Sequence, residues 1–249
     1  MENVALIGLS NQVALRREMD VIANNLANLN TTGFKADNVV FEEFINPTAR
    51  DATFQRGRDR RVSFVWDRAT THNLAQGEIQ PTGNALDVAI GGSGMFMVRT
   101  PDGDRYTRNG SFELNAQNQL VTKQGYPVLG EGGPITLLAS DTNLTISKDG
   151  TIATAQGVRG KLRLAEVASL KDLRKEGENL FSLVGGAQTT PVRFPDVRQN
   201  YLERSNVRPV VELSRMIEVN RAYQSLSSMI EKYDQLRRES IRSLGDVTR

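Results

Sequence analysis

The sequence predicts an α+β protein. Its N- and C-terminal α-helices are expected to pair as a helical, coiled-coil-like domain, and a central, mostly antiparallel β domain is expected between them. Two observations favour this fold class. Apolar residues near both chain ends recur at alternating steps of three and four, which is the spacing of a helical packing face. Between them, short apolar stretches alternate with glycine- and aspartate-rich turn signals, which is typical of short strands.

The N-terminal helix is predicted by a row of apolar side chains at alternating steps of four and three: Leu15, Met19, Ile22, Leu26 and Leu29. Leu6, Leu9 and Val13 form a second stripe, offset from the first. The sequence Thr31-Thr32-Gly33 ends the pattern, and Gly33 is placed where a residue with positive φ commonly terminates a helix. We therefore expect one helix that ends at Thr31-Thr32, with Gly33 directly after it.

The C-terminal helix is predicted to begin at Pro209, because proline is favoured at the first helical position. No proline or glycine follows until after Ser243. Its apolar row consists of Met216, Val219, Tyr223, Leu226, Ile230 and Tyr233. Because a lone helix with such a face is marginally stable in water, we expect the two terminal rows to pack on each other and on copies of the chain.

The central region carries turn signals at Pro101-Asp102-Gly103, Asn109-Gly110, Gln124-Gly125 and Asp149-Gly150. These are dipeptides of hairpins and bulges. Ser169 to Glu176 is predicted as one short helix. Residues 37–76 have the weakest pattern and are interpreted as an extended connector with room for one hairpin. The predicted domains are 1–36 with 205–249 for the helical domain, 37–76 for the connector and 77–204 for the β domain.

Composition excludes several classes of protein. The chain has 249 residues, a formal net charge of +2 and a sequence pI of about 9.0, so its charge is nearly balanced and no nucleic-acid partner is expected. It has no cysteine, which excludes disulfides and thiolate chemistry. No apolar run reaches the roughly 18 residues of a transmembrane helix, and no cleavable signal peptide is recognised. We therefore expect no membrane insertion.

Candidate catalytic groups are scattered. The single histidine, His72, is interpreted as an exposed connector residue. The stretch IGGSGM from Ile90 to Met95 matches neither a phosphate-binding loop nor a hydrolase elbow and is interpreted as a tight turn. The run QRGRDRR from Gln55 to Arg61 is interpreted as a solvated connector. A glycan-active enzyme would need a carboxylate pair drawn from Asp87, Asp102, Asp104 and Asp149. We predict no catalytic residue, no metal site and no cofactor.

Three asparagines sit among the leucines of the N-terminal row, although asparagine is a poor helix former. A buried asparagine in a packing face weakens it but disfavours wrong registers. The alternative is that these amides face water. We interpret them as part of an assembly interface, which is predicted to contain Leu15, Met19, Ile22, Asn24, Asn25, Leu26, Asn28, Leu29, Met216, Val219, Tyr223, Leu226, Ile230 and Tyr233.

Three motifs resemble the bacterial flagellar rod and hook axial proteins. They are ANNLANLNTTGFK near the N-terminus, the central block from QGEIQPTGNALDVAIGGSGMFMV to YTRNGSFELNAQNQLVTKQGYPVLG, and SNVRPVVELSRMIEVNRAYQSLSSMIEKYDQL near the C-terminus. They occur in the family's order and cover nearly the whole chain. The chain length and N-terminal segment favour a proximal rod subunit. A distal rod subunit and, more remotely, a secreted glycan-active enzyme are the alternatives.

The resemblance implies a structural role. Such subunits polymerise through their terminal helices into the periplasmic rod of the basal body, which transmits torque as a driveshaft. It further implies export by the flagellar type III apparatus, without a cleavable signal. Expected partners are copies of the chain, neighbouring proximal and distal rod subunits, and that export apparatus. The terminal helices are expected to become ordered on assembly.

Overall fold

The computed structural model of the protein describes residues 2–46, 62–167 and 169–246. Within them, α1 spans Glu2–Ala27 and α2 spans Pro209–Asp246. A single turn of 3₁₀ helix covers Leu170–Asp172. In the described part of the chain neither helix is long and apolar enough to cross a membrane.

Nineteen strands account for most of the remaining regular structure. In chain order they are β1 Asp37–Asn46, β2 Val62–His72, β3 Ile79–Pro81, β4 Val88–Gly91, β5 Met95–Thr100, β6 Gly103–Thr107, β7 Phe112–Leu114, β8 Leu120–Thr122, β9 Leu129–Gly130, β10 Gly133–Pro134, β11 Thr145–Ile146, β12 Thr151–Thr154, β13 Gly157–Lys161, β14 Leu164–Val167, β15 Leu173–Glu176, β16 Leu180–Leu183, β17 Thr189–Pro191, β18 Asp196–Gln199 and β19 Tyr201–Glu203.

The predicted fold class is wrong. The fold is β-rich: among the described residues α1 and α2 are the only α-helices, and the nineteen strands form seven sheets. Over residues 2–46, 62–167 and 169–246 there is no purely helical, coiled-coil-like domain, because the compact unit that contains both helices also contains the two-stranded sheet β1–β2. The apolar spacing at the chain ends identifies two helices, but it carries no information about the strands packed in the same unit.

The chain divides into two compact units. The first, here called the terminal unit, comprises Met1–Leu26, Asp37–Thr71 and Arg208–Arg249, and the second, here called the β unit, comprises Ala27–Ala36 and His72–Val207. The predicted boundaries at residues 36, 76 and 204 stay predictions. The stretch 169–176, expected as a helix, holds the 3₁₀ turn and then β15, because residues 173–176 pair with β16 along their whole length.

The β unit is built around a six-stranded sheet with the order β15-β16-β6-β5-β14-β17, in which every neighbouring pair is antiparallel. Its main core collects apolar side chains from many short strands, and Phe96 and Phe112 meet edge to face with ring centroids 5.1 Å apart. Short strands suffice because each contributes one or two buried side chains to this shared core.

A buried carboxylate holds the three-stranded sheet β11-β12-β13 to the preceding loop. Asp141 accepts hydrogen bonds from the Arg159 guanidinium at 2.7 Å and 2.5 Å, from the Leu138 amide at 2.7 Å and from the Thr154 hydroxyl at 3.1 Å. The bonds from Arg159 lower the pKa of Asp141 below its ordinary value of 3.8. A carboxylate with a lowered pKa stabilises the fold when it is ionised.

We expect Asp141→Asn to be less stable than the wild type at neutral pH and to lose that difference in acid. Because the folded pKa of Asp141 is depressed, its contribution is complete above about pH 3.8 and disappears as the pH falls through the folded pKa. Urea unfolding at pH 7, 5, 4 and 2.5 measures this gap. Asp196→Asn, which removes an exposed ion pair with Arg198, is the control and should change stability little. A gap independent of pH would contradict the assignment.

Candidate assembly surface

The two helices pack against each other within the terminal unit, in opposite directions. Gly8 lies against Ile230, where an added Cβ would come 3.2 Å from the Ile230 Cδ1 atom. The Gln12 amide donates to the Ser227 hydroxyl at 3.0 Å. Further along α1, Arg215 donates from Nε to the Glu18 carboxylate at 2.8 Å. Since the residue numbers rise along α1 as they fall along α2, the helices are antiparallel.

The structure places the predicted interface residues mostly inside the chain's own packing. Ile22, Asn25 and Val219 are buried and Asn24 is exposed. The others are half-buried: Leu15, Met19, Leu26, Asn28, Leu29, Met216, Tyr223, Leu226, Ile230 and Tyr233. Leu29 packs with Phe34, Ala36 and Val207 in the β unit. The predicted rows are therefore partly covered before any second chain binds.

Asn25 uses its amide within its own chain. Its side-chain oxygen accepts from the Asp37 backbone amide at 2.9 Å, and its nitrogen donates to the Asp37 carbonyl at 2.9 Å. This pair of bonds fixes the start of β1 against the end of α1. Asn28 is also engaged locally, because its side-chain oxygen accepts from the Thr31 hydroxyl at 3.1 Å. The role of these amides in choosing an assembly register stays a prediction.

Large apolar side chains remain exposed on other faces of both helices. On α2, Val210, Leu213 and Ile217 are 74%, 45% and 54% exposed; we call these three residues the outer α2 face. At about 100° per residue they share one face, roughly 140° around the helix from the row centred on Val219. Further uncovered side chains are Leu9 and Val13 on α1 and Met229, Leu236 and Ile241 on α2.

The β unit contains a buried charge cluster that the sequence analysis missed. The Lys35 ammonium lies 2.5 Å from one Glu203 carboxylate oxygen, and the Arg108 guanidinium lies 3.2 Å from the other. The exposed fraction of the side chain is 0% for Lys35, 4% for Arg108 and 1% for Glu203. Burial lowers the pKa of Lys35 and of Arg108, while Glu203 opposes both shifts. Two cations thus share one carboxylate away from water.

A cation–aromatic contact supports the same segment from outside the cluster. The Lys175 ammonium lies over the Phe34 ring, 3.7 Å from its centroid, and donates to the Lys35 carbonyl at 3.0 Å. Nearby, the Asn179 amide donates to the Thr32 carbonyl at 3.1 Å. These contacts anchor residues 32–35 to the loop and strand around β15 and β16. The sequence carries no local signal of these contacts, because the partners lie far apart in the chain.

The scattered candidate groups have structural partners. Asp104 pairs with Arg99 at 2.9 Å, Asp149 accepts from the Thr151 hydroxyl at 2.7 Å, and Asp87 accepts from the Asn84 amide at 3.1 Å. Asp102 lies in the turn that joins β5 to β6. Hydrogen bonds and ion pairs within turns and with neighbouring residues account for these aspartates, as is usual for acidic residues beside glycine.

Two further interpretations meet different outcomes. His72 was expected to be exposed, but it is 8% exposed, because its ring meets the buried Phe181 ring edge to face at 5.5 Å. The Gly92–Gly94 stretch is a bend in which both glycines have positive φ, at 85° and 120°, as the tight-turn interpretation expects. The basic run 55–61 lies outside the described residues.

Comparison with known proteins identifies relatives along the whole chain. Residues 6–35 match the family described as flagella basal body rod protein, residues 89–154 match the flagellar hook protein FlgE/F/G D1 domain, and residues 198–243 match the flagellar basal body rod FlgEFG protein C-terminal family. These three segments coincide with the end regions and the central strands described above.

Individual relatives cover nearly the whole chain. The flagellar basal-body rod protein FlgF of Caulobacter vibrioides is 38% identical over 99% of this chain and 100% of its own length. FlgF of Mesorhizobium japonicum is 32% identical over 98% of this chain and 99% of its own. The flagellar basal-body rod protein FlgG of Buchnera aphidicola subsp. Acyrthosiphon pisum is 35% identical over 88% of this chain and 90% of its own.

Proposed function

The chain belongs to the flagellar basal-body rod protein family, and we propose that it is a proximal rod subunit that polymerises through its terminal helices. The proximal assignment is supported by coverage: the FlgF relatives align over 98% to 99% of the chain, whereas FlgG relatives align over 88% to 94%. A distal rod subunit is the second candidate, since the identities to FlgG and FlgF are similar. As a structural rod protein, the chain works mechanically, and we propose that it has no catalytic activity.

The observation that carries this proposal is the outer α2 face. Val210, Leu213 and Ile217 present apolar surface to water near the start of α2, although the opposite row of the same helix is partly covered by the chain itself. Clustered apolar side chains that remain exposed mark surfaces that bind another protein. In a polymer, each subunit needs one surface for its own fold and a second for its neighbours. The two faces of α2 supply both.

The mechanical task explains why long helices suit this role. A rod subunit must transmit torque through noncovalent contacts, so its interface must be extensive and resist slippage. A helix of 38 residues offers such an extended surface. The predicted interface set, including Asn24 and Asn28, is proposed to act with the outer α2 face in fixing subunit register. The exposed Leu9 and Val13 extend the apolar surface on α1.

The remaining parts of the proposal concern place and partners. We propose that the subunit lies in the periplasmic rod of the basal body, where it contacts copies of itself and neighbouring rod subunits, and that the type III export apparatus carries it there. No nucleic-acid, membrane or cofactor partner is proposed.

The proposal is tested by Ile217→Asp in a flagellated bacterium whose own copy of the gene is deleted. We expect loss of swimming and absence of the subunit from purified basal bodies, because a buried charge opposes docking of the outer α2 face. Ile217→Met, which keeps the apolar surface, should swim. Circular dichroism should show an unchanged fold for Ile217→Asp. Normal swimming with normal incorporation would exclude this face from assembly.

A further inference from the structure

We infer that residues 27–36, although they follow α1 directly, fold cooperatively with the β unit and form its closing element. The inference rests on three chain segments, 33–36, 73–78 and 203–206, which we call the clasp. Each segment is hydrogen-bonded to both of the others. The inference is independent of the proposed assembly role, because every contact that supports it lies within the β unit of one chain.

Asn206 joins all three segments through one side chain. Its amide oxygen accepts from the Ala36 backbone amide at 2.8 Å. Its amide nitrogen donates to the Asn73 carbonyl at 2.7 Å and to the Ala75 carbonyl at 2.9 Å. An asparagine side chain can satisfy acceptor and donor groups in this way at the same time. The loss of this one amide therefore leaves backbone groups in two other segments without their partner.

Glu203 makes a second three-way junction beside the first. One of its carboxylate oxygens accepts from the Gly77 backbone amide at 2.8 Å and from the Lys35 ammonium. The Glu203 carbonyl accepts from the Gly33 amide at 2.7 Å. The Lys35 ammonium also donates to the Ala75 carbonyl at 2.8 Å. Charged hydrogen bonds in a buried setting are stronger than exposed neutral ones, so this junction adds rigidity.

Backbone bonds complete the clasp. The Asn73 amide donates to the Ala36 carbonyl at 2.8 Å, and the Arg204 amide donates to the Glu78 carbonyl at 2.8 Å. Beneath them, Phe34, Ala36 and Val207 bury their side chains against one another. No segment can separate without breaking bonds to the other two. Because each segment is hydrogen-bonded to the other two, we expect the three segments to unfold together.

The position of the clasp in the chain gives it a consequence. The polypeptide leaves the β unit after Ala36, re-enters it at His72 and leaves it again after Val207. The chain also enters the β unit at Ala27, and the three later passages, at Ala36, His72 and Val207, lie within one residue of a clasp segment. When the terminal unit unfolds by itself, the clasp should therefore stay folded. The limits of the segment that stays folded should lie near residues 27 and 207 rather than at the ends of β3 and β19.

Native-state hydrogen exchange of the full chain tests this inference. In the wild type at increasing low urea, we expect the amides of Gly33, Ala36, Asn73, Gly77 and Arg204 to share one opening free energy and one urea dependence. They should exchange with core amides such as Val128, and more slowly than amides of the terminal unit. The inference is overturned if Gly33 and Ala36 exchange at the rates of α1, or if the clasp amides open with separate urea dependences.

A variant adds a second, independent readout. Asn206→Ala should raise exchange at Gly33, Asn73, Gly77 and Arg204 and at core amides such as Val128 together by about tenfold or more, while amides of α1 keep their rates. Asn115→Ala is the matched control, because Asn115 also binds backbone amides, at Gln117 and Gln119, but only within its own turn. Faster exchange at Ala36 alone would overturn the inference. If Asn206→Ala does not fold, the urea dependence of the wild type decides.

Discussion

Gly33→Ala will destabilise the β unit by roughly 3 kcal/mol or more, which is the sum expected for a left-handed alanine and an overpacked contact. Gly33 has a φ of 67°, a conformation that alanine adopts at a cost. An added Cβ would also lie 2.4 Å from the Arg108 carbonyl carbon and 2.5 Å from the Asn109 nitrogen. Both are backbone atoms, so no side-chain rotation relieves the overlap. Urea unfolding followed by circular dichroism measures the loss.

Gly83→Ala separates the two causes. Gly83 has a φ of 77°, but nothing lies within 4 Å of the position that its Cβ would take. It therefore reports the conformational cost alone, which we expect to be about 1 kcal/mol. The difference between the two variants measures the close approach of the 33–36 segment to residues 108–109. Equal losses would mean that this segment moves aside easily and is not fixed in the β unit.

The sequence predicted the parts of the fold that follow a local period. The alternating steps of three and four identified α1 and α2, and the predicted helix start at Pro209 is confirmed. Gly33 has the expected positive φ, but α1 ends at Ala27, so Gly33 does not directly follow the helix as predicted. Helical spacing and turn chemistry depend on residues a few positions apart, so they can be interpreted from one sequence. The same spacing did not reveal that β1 and β2 share a unit with the helices.

The features that the analysis missed depend on residues distant in sequence. Lys35 and Glu203 are separated by 168 positions, and neither stands in a motif of charged residues. Asn25 was interpreted through its helical neighbours, whereas its amide binds Asp37, twelve positions on. Ser169 and Asp172 form a helix-like start signal, but residues 173–176 pair with β16 instead. In each case a contact with a residue elsewhere in the chain determines the structure, and the local sequence pattern does not indicate that contact.

Glu203→Gln will be the most destabilising single change at the buried cluster, with an expected loss of roughly 3–5 kcal/mol. The substitution preserves the shape of the side chain but removes the one negative charge. Lys35 and Arg108 would then be two buried cations without a counter-charge, in a site where burial already lowers the pKa of both. The Gly77 amide could still bind the remaining side-chain oxygen. Urea unfolding at pH 7 measures the loss.

Lys35→Met will have a much smaller effect, although it removes a partner of the same ion pair. It leaves Arg108 and Glu203 as a balanced pair at 3.2 Å. The Ala75 carbonyl keeps a donor, because the Asn206 amide also binds it at 2.9 Å. Removing one partner of a buried ion pair is costly when it leaves an uncompensated charge, and here Arg108 still balances Glu203. We therefore expect a change of about 1 kcal/mol in either direction.

The double variant decides whether net charge controls the cluster. Glu203→Gln with Lys35→Met removes one cation and the anion, so the cluster returns to the net charge of +1 that it has in the wild type. We expect the double variant to be more stable than Glu203→Gln alone, because the second substitution removes one of the two repelling cations. Additive losses would show that Glu203 acts through its hydrogen bonds to Gly77 and Arg108 rather than through its charge. Because one carboxylate balances two cations, its removal should lower the free energy of unfolding more than the removal of either cation. The single and double variants together measure this difference.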